Sequence, residues 1–253
     1  MKSEVNLYGG NRRTVNQRNY QKELEKILVK LPEYGTEKDG QPPRLLLHSC
    51  CAPCSSYCLE YLCRYFSITV FFYNPNISFS DEYQKRVEEQ KRLIQSYNRE
   101  NKGYPISMIE GDYEPGLFFE MAKGYENCPE GGERCFRCFD LRLRCTAMLA
   151  AGEGQLSGEE GTATGKYDYF GTTLTISPLK NAVKLNEIGE SLGEEYGVAW
   201  LPSDFKKKNG YKRSVELSAE YDLYRQDYCG CAYSKAERMK EEVEGRPTYS
   251  CKG

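Results

Sequence analysis

The sequence has one histidine in 253 residues, which removes any mechanism that needs two imidazoles, including most hydrolytic zinc sites and H-E-x-x-H proteases. It has no stretch approaching the ~18 apolar residues of a membrane helix, so no membrane partner is expected. The opening MKSEVNLYGGNRR lacks the apolar core of a secretory signal, which reads as a cytoplasmic protein. Neither the dinucleotide fingerprint nor the Walker phosphate loop occurs. Net charge is almost absent. The 35 Lys+Arg and 37 Asp+Glu leave −2, so a nucleic-acid partner must be met by a local patch rather than by a global field. What remains is a chain with 39% hydrophobic residues, long enough for one domain with a small appendage.

Cysteine, by contrast, is abundant at 12 residues. In a reducing compartment clustered thiols serve metals or redox chemistry more often than they staple a fold. Cys58, Cys63, Cys145 and Cys251 stand apart and read as small buried apolar residues. Cys50-Cys51, Cys135-x-x-Cys138 and Cys229-x-Cys231 do not. The lone His48, beside a strand end, reads as a packed, hydrogen-bonded residue.

Periodicity places an amphipathic helix over 19–31 and a linker rich in turn formers over 32–43. A short buried strand follows from 44, and a cysteine-rich helix comes directly after it. A β-branched and aromatic strand is expected over 68–73, a long helix over 80–101, a third strand over 104–109 and a short helix over 115–123. A helix over 133–151 carries the Cys-x-x-Cys, and a Gly/Ser/Glu-rich insertion follows at 152–165. Two more strands, 167–173 and 198–201, flank a helix over 181–196, and 214–242 is mostly helical. Alternation of strand and helix predicts an α/β fold with a mostly parallel sheet and helices on both faces. Residues 1–43 form an N-terminal extension and 44–253 the catalytic domain. In such sheets ligands bind at the carboxyl ends of strands, where Cys50 and Cys51 fall.

HSCCAPCS (48–55) occupies the turn where a nucleotide-binding protein carries glycines. It offers Cys50, Cys51 and Cys54 at a helix start instead, where the dipole and free N–H groups favour thiolate. Together with Cys135 and Cys138 the adjacent pair suggests a four-thiolate site for zinc or iron–sulfur. Cys229-Gly230-Cys231 is too tight for most structural metal sites, and the glycine permits a small strained disulfide ring, so this reads as a redox pair. Lys206, Lys207, Lys208, Lys212 and Arg213 in FKKKNGYKR make a basic stretch with an interleaved tyrosine, suited to phosphates and stacked bases.

The set LLLHSCCAPCS, ITVFFYNPNI, CxxCFDLRL, FGTTLTISPLKN, DFKKKNGYKRS and YRQDYCGC resembles the cobalamin-independent epoxyqueuosine reductases, from about residue 19 to 233. The resemblance implies a Rossmann-like fold of the nucleotide α-hydrolase type. The implied reaction reduces the epoxide of epoxyqueuosine in tRNA to the cyclopentene of queuosine, the last step of queuosine biosynthesis. It further implies a [4Fe-4S] cluster on Cys50, Cys51, Cys135 and Cys138, with a redox-active disulfide between Cys229 and Cys231. Cys54 stands open as a substitute ligand or as the holder of a second iron. Asp204, Asp227 and Tyr228 are candidate proton donors, and the partners are tRNA carrying epoxyqueuosine and an unidentified electron donor. The alternative is a zinc-stabilised tRNA-binding module without redox activity.

Overall fold

Leu45, Leu46 and Leu47 form a strand because a parallel sheet covered on both faces can bury every one of their side chains. In the computed structural model, which describes residues 18–38, 40–154 and 166–244, these leucines lie in β1 (Arg44–His48) and none is exposed to solvent. Helix α1 (Tyr20–Leu28) precedes it, and α2 (Ala52–Leu62) follows with Pro53 in its first turn. Then come β2 (Ser67–Phe72), α3 (Ser80–Glu100), β3 (Ile106–Glu110), α4 (Pro115–Ala122) and α5 (Glu133–Ala151). The chain continues through β4 (Tyr169–Thr172), a 3-10 turn (Thr173–Ile176), α6 (Ala182–Tyr196), β5 (Ala199–Trp200), α7 (Gly210–Glu220) and α8 (Ala232–Val243).

All four strand pairings are parallel, and the order is β3-β2-β1-β4-β5. The sheet therefore grows outward from β1 through β2 to β3, then returns past β1 to continue through β4. The reversal leaves a crevice beyond the carboxyl ends of β1 and β4. Side chains alternate across the sheet as the period of two requires. Leu45 and Leu47 share one apolar cluster with α1, α2 and α3, through Leu24, Leu59 and Leu93. Leu46 packs in a second cluster with Phe139 and Leu143 of α5 and Leu185 of α6. On that face Gly189 lets α6 lie directly on the Trp200 indole, since a Cβ there would sit 2.3 Å from the ring.

The expected α/β architecture is present. The tail differs in detail, because its helical content is split between α7 and α8 by an irregular segment that carries Cys229. Helix α7 also begins earlier than its hydrophobic pattern suggested, so Lys212 and Arg213 lie in its first turns. Cys251 and residues 155–165 of the expected insertion fall outside the described residues. No helix among the described residues is long and apolar enough to cross a membrane.

Candidate active site

The crevice is built by the turn after β1. Cys51 is extended (φ −176°) and serves as the N-cap of α2, which puts Cys54 one turn farther on and above it. Cys50, Cys51 and Cys54 bring their sulfurs within 4.8 Å of one another, with 3.7 Å between those of Cys50 and Cys51. Among the described residues no other trio of potential metal ligands gathers so closely. The turn is braced from below by buried polar contacts. Ser49 and Ser55 each donate to the Gln90 Oε1 of α3 at 2.8 Å, and Asn74 Nδ2 donates to the Ser49 carbonyl at 2.8 Å.

His48 belongs to this bracing and not to the site. Its Nε2 lies 3.2 Å from the Tyr73 carbonyl, which can only accept, so Nδ1 is left to accept from the Thr172 hydroxyl at 2.9 Å. Burial drives its pKa down to about 3, and the neutral ring ties β1 to the end of β4.

Contacts with Cys51 and Cys54 hold the Cys50 thiol well below its ordinary pKa, and nearby Lys180 and Arg142 act in the same direction. The Cys50 thiolate in turn pushes Cys51 up to about 11 and Cys54 well above the normal value. Of the three, Cys50 is thus the thiol most disposed to ionise, and a metal would have to displace the protons of the others.

Cys229, in the irregular segment between α7 and α8, lines the same cleft as Cys50 and Cys54, and Cys231 lies beside it. Their sulfurs are 3.4 Å apart and both are free thiols. The contact with Cys231 holds Cys229 down to about 6, while Cys229 and burial push Cys231 far up. The pair is one thiolate and one thiol at neutral pH. Arg86 of α3, only 1% exposed, locks the segment in place: it donates to the carbonyls of Cys229 (3.2 Å) and Tyr228 (3.4 Å) and is paired with Glu82. Ser78 N donates to the Gly230 carbonyl at 3.1 Å.

Gly230 has φ +111°, and a Cβ on it would stand 2.8 Å from Ile77 Cγ1. Gly230→Ala is therefore expected to destabilise the protein by about 1–3 kcal/mol. A fall in the denaturant midpoint at unchanged m-value would register it, and an unchanged midpoint would show the loop to be adaptable.

Two cavities open on these groups. The main cleft is lined by Cys50, Cys54, Arg86, Lys180, Tyr228 and Cys229, among others. A smaller one is lined by Cys135, Cys138, Cys229, Cys231 and Lys180. Of the four expected cluster ligands, then, Cys50 and Cys51 sit in the tight group together with Cys54, whereas Cys135 and Cys138 of α5 border the adjoining cavity. Cys135 nevertheless packs in the same apolar cluster as Cys50 and Cys51. Burial raises Cys135 and pushes Cys138 up to about 11. The donor set fits a thiolate-ligated metal or iron–sulfur group. Soft sulfur ligands converge, and the buried guanidiniums of Arg86 and Arg142 with the Lys180 ammonium oppose the negative charge such a group carries.

Asp227 and Tyr228 also line the main cleft. Asp204 is not among its lining residues and is ion-paired with Lys206.

A sequence model of one family, described as Epoxyqueuosine reductase QueH, matches residues 45–237. The chain belongs to the QueH family. It is 44% identical over 228 residues to the epoxyqueuosine reductase QueH of Staphylococcus epidermidis, covering 89% of this chain and 87% of that protein. A QueH from Streptococcus pyogenes is 44% identical over 198 residues (78% and 72%). One from Thermotoga maritima is 33% identical over 206 residues (79% and 94%). The QueH match takes in every cysteine of the two clefts, and among the described residues it leaves out only the N-terminal part and the last residues of α8.

Arg86 and Lys180 are site residues to which sequence reasoning assigned no role: Lys180 falls inside the FGTTLTISPLKN motif, but a lysine or arginine in a sequence looks like solvated surface. Cys54 had a signal. Cys51-Ala52-Pro53-Cys54 is itself a Cys-x-x-Cys opening a helix.

Proposed function

We propose that this chain reduces the epoxide of epoxyqueuosine in tRNA to the alkene of queuosine, the last step of queuosine biosynthesis. The observation that carries the reading is Cys229. It lines both the cleft that reaches the Cys50–Cys54 group and the cavity bordered by Cys135 and Cys138. Converting an epoxide to an alkene and water takes two electrons and two protons. A dithiol closing to a disulfide releases two electrons. The Cys229 thiolate and Cys231 thiol are that store, and the Cys231 thiol carries one of the protons. Tyr228, whose hydroxyl is pushed up to about 12 by burial, stays protonated in the cleft and supplies the other. Asp227 lies beside it, and Asp204 has no part in this path. An electron donor outside the chain reopens the disulfide.

A [4Fe-4S] cluster on Cys50, Cys51, Cys135 and Cys138 would supply single-electron transfer and Lewis acidity. The close approach of Cys54 supports it as a substitute ligand or as the holder of a second iron. The test of function is direct: anaerobic protein with a chemical reductant should convert epoxyqueuosine in tRNA to queuosine. No conversion under those conditions would refute the reading.

The thiolate assignment has a pH signature. The pKa of Cys229 is lowered, so its alkylation by iodoacetamide should follow a midpoint near about 6. In Cys231→Ala that midpoint should rise toward the ordinary thiol value of ~8.5. A wild-type midpoint already near the ordinary value would contradict the pairing.

For tRNA we propose the stretch of Lys206, Lys207, Lys208, Lys212 and Arg213. Much of its charge is already engaged: Lys206 pairs with Asp204, Lys208 with Glu25, Lys212 with Glu216, and Arg213 with Glu60 and Glu220. Lys207 is exposed and has no ion-pair partner among the described residues, so it is the freest to meet phosphate. Lys207→Ala should lower the slope of log affinity against log salt by roughly one. An unchanged slope would return the stretch to ordinary solvated surface.

A further inference from the structure

Lys180 lies in the connection Ser177-Pro178-Leu179-Lys180 between β4 and α6, over the switch point of the sheet. It lines both cavities, a property shared among the described residues only by Leu179 and Cys229. Its side chain is half-buried, yet no carboxylate, carbonyl or ring partners its ammonium among the described residues. Lys206, buried to a similar degree, does find a partner in Asp204. What surrounds Lys180 is sulfur: burial lowers its pKa, but Cys50, Cys54 and Cys229 outweigh that and raise it. With no atom of the described residues holding it, the ammonium can meet a ligand that enters the cleft beside these sulfurs.

On the reductase reading above, we propose that Lys180 is a catalytic residue whose ammonium donates a hydrogen bond to the epoxide oxygen and carries the negative charge that builds there. The C–O bonds to that oxygen break and the C=C bond forms. Two electrons come from Cys229 and Cys231, which close to a disulfide, and two protons join the oxygen, which leaves as water. Lys180 remains an ammonium throughout. Preorganised charge of this kind in a dry cleft stabilises a transition state without reorganisation during the reaction.

The test uses Lys180→Met, which keeps chain length and removes charge, in two settings. In a Cys229→Ser background, where turnover is blocked, affinity is compared for tRNA bearing the epoxide and tRNA bearing the alkene. Protein with Lys180 should favour the epoxide form by about tenfold, and Lys180→Met should erase that preference. In the otherwise native protein, Lys180→Met should lower kcat by about 10²–10³-fold and raise KM by no more than about tenfold, while iron content and sulfide content hold.

Loss of the metal group in Lys180→Met would overturn the inference and make the residue a counter-ion. So would an undiminished kcat or a retained epoxide preference. Should wild-type protein convert no epoxyqueuosine, the reductase reading fails and takes this inference with it. Wild-type turnover beside an unimpaired Lys180→Met removes the inference alone.

Discussion

Cys51→Ala is expected to abolish the visible chromophore and turnover together while leaving the fold in place. The fold survives because the Cys51 side chain makes no capping hydrogen bond at the start of α2. The contact that matters there is its carbonyl, which accepts from Ser55 N at 3.1 Å and which alanine retains. What is lost is one of three sulfurs held within 4.8 Å. Removing a thiolate from a preorganised soft-ligand site takes away affinity that the remaining donors cannot replace. Cys54→Ala should have the same effect if Cys54 is a ligand, and should spare the colour if only the four originally expected cysteines bind. Colour and turnover retained in Cys51→Ala would refute its ligand role.

Cys229→Ser should do the opposite at the metal group and the same at the reaction. The chromophore should persist, since Cys229 lies outside the tight trio, while multiple turnover with the natural electron donor stops. Serine occupies nearly the same space and preserves the backbone contacts by which Arg86 and Ser78 hold the loop. It cannot form a disulfide, so the two-electron store is gone. The expected loss is therefore in kcat, with tRNA binding retained. Normal multiple turnover would remove the redox assignment of the Cys229–Cys231 pair.

Much of this architecture could be read from residue order. Leu45–Leu47 and the run at Ile68–Phe72 are unbroken apolar stretches of strand length, and helices separate them. A parallel sheet follows from that alternation, and with it a site at the end of β1. Gly230 was legible for the same reason: only glycine readily holds φ +111° between two cysteines.

Three features were not legible. The placing of Cys135 and Cys138 in a neighbouring cavity depends on how α5 packs across the sheet. Local spacing does not encode that. The basic stretch looked like free charge, but glutamates remote in sequence, Glu25 and Glu60, fold back onto Lys208 and Arg213. Arg86 and Lys180 become site residues only through burial. Arg86 is fixed by carbonyls more than a hundred residues away, and Lys180 is placed between two thiol groups by the chain reversal after β4.

The account stands on thiols from separate stretches of the chain holding iron at the end of β1. Iron, acid-labile sulfide and zinc should be quantified in protein purified without oxygen. Roughly four iron and four sulfide per chain, with one more iron if Cys54 holds it, and little zinc, is the predicted result. Stoichiometric zinc with no sulfide, in colourless protein that still binds tRNA, would contradict it and favour a binding module without redox chemistry.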